Sequence, residues 1–145
     1  MKTITLEKPS DWDSWIFVVK SIANGRDAWK YIDPSLNLEP VIPICPIQPS
    51  AQDVKQDASS VVDLQPAELE KYKVLLAEYR EQLANVRQVL DSIQTVRTHI
   101  VTTVSANNVV YIKKATSVYQ MLKALKKCLA PTDEARILEV KQKYQ

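Results

Sequence analysis

Apolar residues recur along most of this chain at the three- and four-residue steps of an α-helix. Trp12, Trp15, Ile16, Val19, Ile22 and Ala23 fall on one side of a helix that opens at Ser10. Pro9 ends the extended segment before it, Ser10 is placed to cap it, and Asp13 follows three residues on. Asn24-Gly25 predicts the stop, because glycine accepts the left-handed conformation common just past a helix end. A short second helix, Arg26 to Ile32, displays Trp29 and Tyr31 and ends at Asp33-Pro34.

The same spacing returns after Pro66, which suits a helix start, with Asp63 upstream as a cap. Leu69, Tyr72, Leu76, Tyr79, Leu83, Val86, Leu90, Ile93, Val96 and Ile100 trace one long stripe. It predicts a helix that ends near Val104 or is broken once near Asp91. The β-branched residues of 93–104 lower helix propensity, but the spacing persists through them. Ser105 to Asn108 reads as a break, with Asn107-Asn108 suited to a turn. Val109 to Lys114 leads into a helix from Ser117 to Leu129, which Pro131 stops. Thr132 then caps a last helix, with Asp133 and Glu134 in its first turn and Ile137, Leu138, Val140 and Tyr144 on its apolar side. That pattern is still running at Gln145, as in a fragment of a longer protein.

Between these helices, residues 34–65 change character. Pro40, Pro43, Pro46 and Pro49 recur at every third position, matching the three residues per turn of a polyproline II helix. Val41, Ile42, Ile44, Cys45 and Ile47 sit among them, too apolar for a solvated linker. Residues 35–49 read as an extended arm packed on the helical body, and 50–62 as a flexible loop. The proline run is either a plain spacer or a segment that docks as a peptide ligand does.

The expected fold class is therefore all-α: a bundle of about five to six helices with a proline-rich extended arm. Its parts are the Trp-rich helices of 1–33, the arm and loop of 34–65, and the helices of 66–145 packing with 1–33 as one domain. A length of 145 residues, with 46% hydrophobic and 25% charged residues, fits a single soluble domain.

Composition narrows the chemistry. The single glycine, Gly25, excludes phosphate-cradling loops, nucleophile elbows and dinucleotide fingerprints. Cys45 and Cys128 form no CxxC pair, and His99 is the one histidine, beside the apolar stripe. No metal ligand set or histidine relay is expected, nor any cofactor. The acidic pairs lie at helix beginnings, where capping explains them. The chain is expected not to be an enzyme, to take no small-molecule substrate and to have no membrane contact. Free thiols fit a reducing, cytoplasmic setting.

Charge gives the one functional pointer. Residues 92–132 contain no acid, yet carry Arg97, Lys113, Lys114, Lys123, Lys126 and Lys127, in a chain whose net charge is +2. Lys123, Lys126 and Lys127 share a helical side, and Tyr111 and Tyr119 are interleaved as rings able to stack on bases. Two readings stay open: the solvated face of an amphipathic helix, and a surface for RNA or another acidic partner. The candidate contact residues are Lys113, Lys114, Lys123, Lys126 and Lys127. The candidate core or interface anchors are Trp12, Trp15, Trp29, Tyr72, Tyr79, Leu122 and Leu125.

Two strings carry a family resemblance. LEKPSDWDSWIFVVKSIANGRDAWKYIDPS, through Pro9, Ser10, Trp12, Trp15, Trp29, Ile32, Asp33 and Pro34, resembles the start of Gag polyproteins of fungal copia-type LTR retrotransposons. YQMLKALKKCLAPTDEARILEVKQKYQ resembles the same family through Tyr119, Leu122, Leu125, Lys126, Pro131, Thr132, Arg136 and Tyr144. The resemblance implies a helical domain like the N-terminal half of a retroviral capsid, a structural protein whose partners are its own copies and the RNA that the shell packages. A zinc knuckle, where such proteins have one, would lie further downstream. A helical protein-interaction adaptor and a host-domesticated, Gag-like RNA-binding module, cytoplasmic or nuclear, are the alternatives.

Overall fold

The computed structural model describes residues 3–131, so the helix expected from Thr132 onward lies outside the described residues. Three α-helices are present among them: α1, Trp12–Gly25; α2, Pro66–Thr103; and α3, Val118–Leu129. The all-α class holds, but five or six helices are not found. The remaining helical pieces are single 3-10 turns at Pro9–Asp11, Trp29–Tyr31, Ala51–Asp53, Val61–Asp63 and Val109–Tyr111. One is the expected second helix, reduced to Trp29–Tyr31. Asp27 takes a positive φ of 57°, which prevents a helix from running through Arg26–Ile32.

The described chain divides into two compact units. The first comprises residues up to Ile42 and from Ser92 onward; the second runs from Pro43 to Asp91. The α2 helix belongs to both and is unbroken at Asp91.

In the first unit, α1 buries Trp12, Trp15, Val19 and Ala23, a 3–4–4 spacing that keeps one stripe facing inward. The last turns of α2 bury Ile93, Val96, Ile100 and Thr103, and α3 buries Val118, Tyr119, Met121, Leu122, Leu125 and Leu129. Leu6, Ile32 and Ile112 complete the core from the connecting segments. The N-terminal strand-like segment is tied in by a parallel bridge between Leu6 and Val104. Leu6 N donates to Thr103 O at 2.8 Å, and Ser105 N donates to Leu6 O at 3.0 Å. The Asn108 amide, buried, donates to the carbonyls of Leu6 and Glu7 at 3.1 and 2.8 Å and fixes the turn after α2 to the N-terminal segment.

The caps differ from the expected ones. Ahead of α1, Asp11 rather than Ser10 accepts from the backbone, taking Glu7 N and Lys8 N at 3.2 and 3.1 Å. Gly25 ends α1 without a positive φ. Asp63 does not cap α2: its carboxylate accepts from Ser59 N at 2.8 Å and Ser60 N at 3.3 Å, closing the 3-10 turn before the helix. Glu68 performs that task by reaching back to Gln65 N at 2.9 Å, with Pro66 in the first turn. Ser117 caps α3 as expected, accepting from Gln120 N at 3.2 Å.

The second unit is built differently. Residues 51–63 form two 3-10 turns with their own carboxylate caps, Asp53 on Ser50 N at 2.7 Å and Asp63 on Ser59, rather than a loop without local order. Its fully buried hydrophobic residues are Ala51 and Ala58. On its part of α2, Leu69, Tyr72, Leu75, Leu76, Tyr79, Leu83, Val86 and Val89 are only half-buried. The stripe predicted from the sequence exists, but its own unit does not close over it.

Candidate functional site

The three tryptophans divide between two tasks. Trp15 is fully buried, and its Nε1–H donates to Thr103 Oγ1 at 2.9 Å; that hydroxyl in turn donates to His99 O at 2.6 Å. A three-member chain thus joins α1 to the end of α2. Trp12 is buried beside it, with ring centroids 5.7 Å apart and planes tilted by 37°. Trp29 is half-buried, and Lys20 Nζ lies over its ring at 5.5 Å.

Leu122 and Leu125 are fully buried on α3. Tyr72 and Tyr79 sit half-buried on the incompletely covered face of α2. Lys113, Lys114, Lys123, Lys126 and Lys127 are all exposed. Lys123 is engaged within its own helix: its Nζ donates to Tyr119 Oη at 2.8 Å and lies 5.1 Å from that ring's centroid. Tyr119 is buried and its hydroxyl donates to Leu36 O at 2.6 Å, so its ring is packed rather than free to stack. Tyr111 is exposed.

The structure brings one of these lysines to a hollow that sequence spacing does not reveal. Lys126 of α3 meets Lys20 of α1, Trp12, Trp29 and the Asp33-Pro34-Ser35 turn around a cavity of about 260 Å³. Asp33 Oδ1 is committed to the turn, accepting from Ser35 N at 2.9 Å and Ser35 Oγ at 2.7 Å. The turn is held near α3 by Tyr119, and Ser117 donates to Glu39. Sequence spacing does not single out Lys20, because most of its partners at the hollow lie far away in sequence. The step from Trp12 to Ile16 to Lys20 along one side of α1 is the signal that was present.

His99 is half-buried on α2, with Nε2 enclosed and without a hydrogen-bond partner among the described residues. Burial holds its pKa below the usual 6.5. Asp63 is held below the usual 3.8, chiefly by the Ser59 hydroxyl and backbone that it accepts from.

In the second unit, two grooves run beside α2. One of about 490 Å³ is lined by Asp53, Val54, Ala67, Lys71, Val74 and Leu75 among others. The other, of about 400 Å³, is bordered by Ile47, Pro49, Leu75 and Tyr79. The arm that borders it has a burial pattern of period three. Pro40, Pro43, Pro46 and Pro49 are half-buried, whereas Leu38, Val41, Ile44 and Ile47 are 85, 89, 85 and 94% exposed.

Among the described residues, no group of acids, histidines and cysteines is placed to hold a metal ion, and no helix is long and apolar enough to cross a membrane. Cys45 and Cys128 are both exposed thiols. Comparison with protein families, with curated proteins and with solved structures found no match.

Proposed function

We propose that this chain is a structural, capsid-type domain that assembles with its own copies into a shell around RNA. The observation that carries the assembly part is the pair Ile44 and Ile47 on the arm of the second unit, 85 and 94% exposed. Two large apolar side chains three residues apart, both turned to solvent beside the half-buried stripe of the same unit, mark an interaction surface.

The occupant we favour is a second copy, because the chain also carries a matching acceptor. The α2 stripe of the second unit is half-buried, its grooves of about 490 and 400 Å³ have room for several side chains, and only two alanines of that unit are fully buried hydrophobics. A segment of this length with so thin a core gains stability from a further apolar surface. An edge on one copy entering a groove on the next is a heterologous contact. Such contacts propagate into rings or open arrays, the geometry that a shell needs. The packaging of RNA is what the resemblance in the tryptophan-rich and α3 strings implies, and the basic α3 surface is compatible with it.

Light scattering on the purified chain over a concentration series tests this. Mass growing with concentration into defined oligomers is expected. Monomer at every concentration would turn the reading towards a helical adaptor whose edge docks on a different protein.

A further inference from the structure

The cavity between α1, α3 and the Asp33–Ser35 turn combines two kinds of recognition in a small space. Trp12, Ile16 and Pro34 supply apolar surface, Trp29 a partly accessible indole, and Lys20 and Lys126 two exposed cations. Neither lysine has an ion pair with a described residue, and the one acid present, Asp33, is turned to its own Ser35. Two lysines around a hollow, with no acid paired to them among the described residues, favour an anion. An indole beside them favours a flat π surface.

A ligand with both properties is a nucleotide. We infer that this hollow takes a single unpaired nucleotide of single-stranded RNA, its base taking the place of Lys20 Nζ over the Trp29 ring and its phosphate between Lys20 and Lys126. The cavity of about 260 Å³ is below the range of drug-sized pockets, which suits one nucleotide rather than a folded element. Sequence tolerance follows, since every base has a π face. The site moves RNA contact away from the α3 lysines as a group. Lys123 is spent on Tyr119, while Lys113 and Lys114 border no part of this hollow. The inference rests on the reading that the shell holds RNA, but not on assembly itself, because a monomer presents the complete hollow.

The test uses the full chain at a concentration where it is monomeric, with fluorescently labelled deca-uridylate as probe and inorganic polyphosphate of matched charge as competitor. Trp29→Leu is expected to weaken binding about tenfold or more, in the range seen when a base loses its aromatic platform. Trp29→Tyr is expected to restore most of it. The double variant Lys20→Ala/Lys126→Ala is expected to lower the dependence of log affinity on log salt by roughly 1.4, two phosphate-facing charges at about 0.7 each. Lys113→Ala/Lys114→Ala serves as the control, with the salt slope kept. Thermal melting of each variant separates lost binding from lost folding. If Trp29→Leu proves unfolded, the salt slope of the double-lysine variant and a photocrosslink from 4-thiouridine to the peptide holding Trp29 decide the matter. Three results would overturn the inference: deca-uridylate binding unaffected by Trp29→Leu, polyphosphate competing as well as RNA, or an acidic peptide binding more tightly than either. A failure of assembly in the light-scattering series leaves these readouts intact.

Discussion

Trp15 is the residue on which most of the first unit's order converges. It fills core volume, meets Trp12 and spends its one donor on Thr103. Truncation to alanine leaves a cavity and takes from the Thr103 hydroxyl the one hydrogen bond it accepts, while its own donation to His99 O remains. Trp15→Ala is expected to cost about 3–5 kcal/mol, measured as the shift in denaturant midpoint at constant slope. An unchanged midpoint would contradict the burial. The neighbouring His99 gives a pH test. Because folding holds its pKa below 6.5, the unfolded chain binds the proton more readily. Stability therefore falls as pH drops below 6.5, and the loss levels off once pH passes below the folded pKa. Melting temperature should drop between pH 7.5 and 5.5 by more in the natural chain than in His99→Gln. Equal drops would remove His99 as the cause.

At the scale of elements, the three α-helices among the described residues were legible, whereas the expected second helix is a single 3-10 turn and the joints were hidden. The stripe from Leu69 to Ile100 specified helix but left a break near Asp91 open; the structure has one helix, and the β-branched turns of 93–104 are carried by their packing. Ser117 and Leu129 bracketed α3 closely, since a capping serine and a following proline act locally. What the sequence concealed depends on partners far along the chain. Asn108 reads as a turn residue, yet its amide holds Leu6 and Glu7 about a hundred positions away. The Leu6–Val104 bridge and the meeting of Lys20 with Lys126 are hidden in the same way. Gly25 was misread more simply: the left-handed residue is Asp27, two positions on. A methyl group on Gly25 would meet nothing within 4 Å. Gly25→Ala is therefore expected to stabilise the chain by about 0.4–1 kcal/mol through the unfolded state, read from the denaturant midpoint. Destabilisation would mean that α1 ends as first expected, on a glycine-dependent turn.

At the scale of the molecule, the contrast between the two units carries the functional account. The first unit buries a continuous core and keeps a small cationic, aromatic hollow at its surface. The second closes over little of its own apolar stripe and borders its grooves with an arm whose outward edge is apolar. Proline period and apolar content of the arm were visible in the sequence. Which of its residues face outward was not, because Pro43, Pro46 and Pro49 are as apolar as Ile44 and Ile47 and only packing separates them. The pairing of edge and groove predicts that two different defects complement each other. Ile44→Asp removes the edge at a residue that lines neither groove, and Val74→Lys, at a position 58% exposed, blocks the groove of about 490 Å³ without disturbing a core. The most direct measurement is sedimentation of each variant alone and of the two mixed in equal amounts. Each alone is expected to remain monomeric, and the mixture to form a one-to-one dimer that grows no further, since each pair retains one intact edge and one intact groove. A mixture that stays monomeric, or single variants that assemble as the natural chain does, would contradict assembly through this contact.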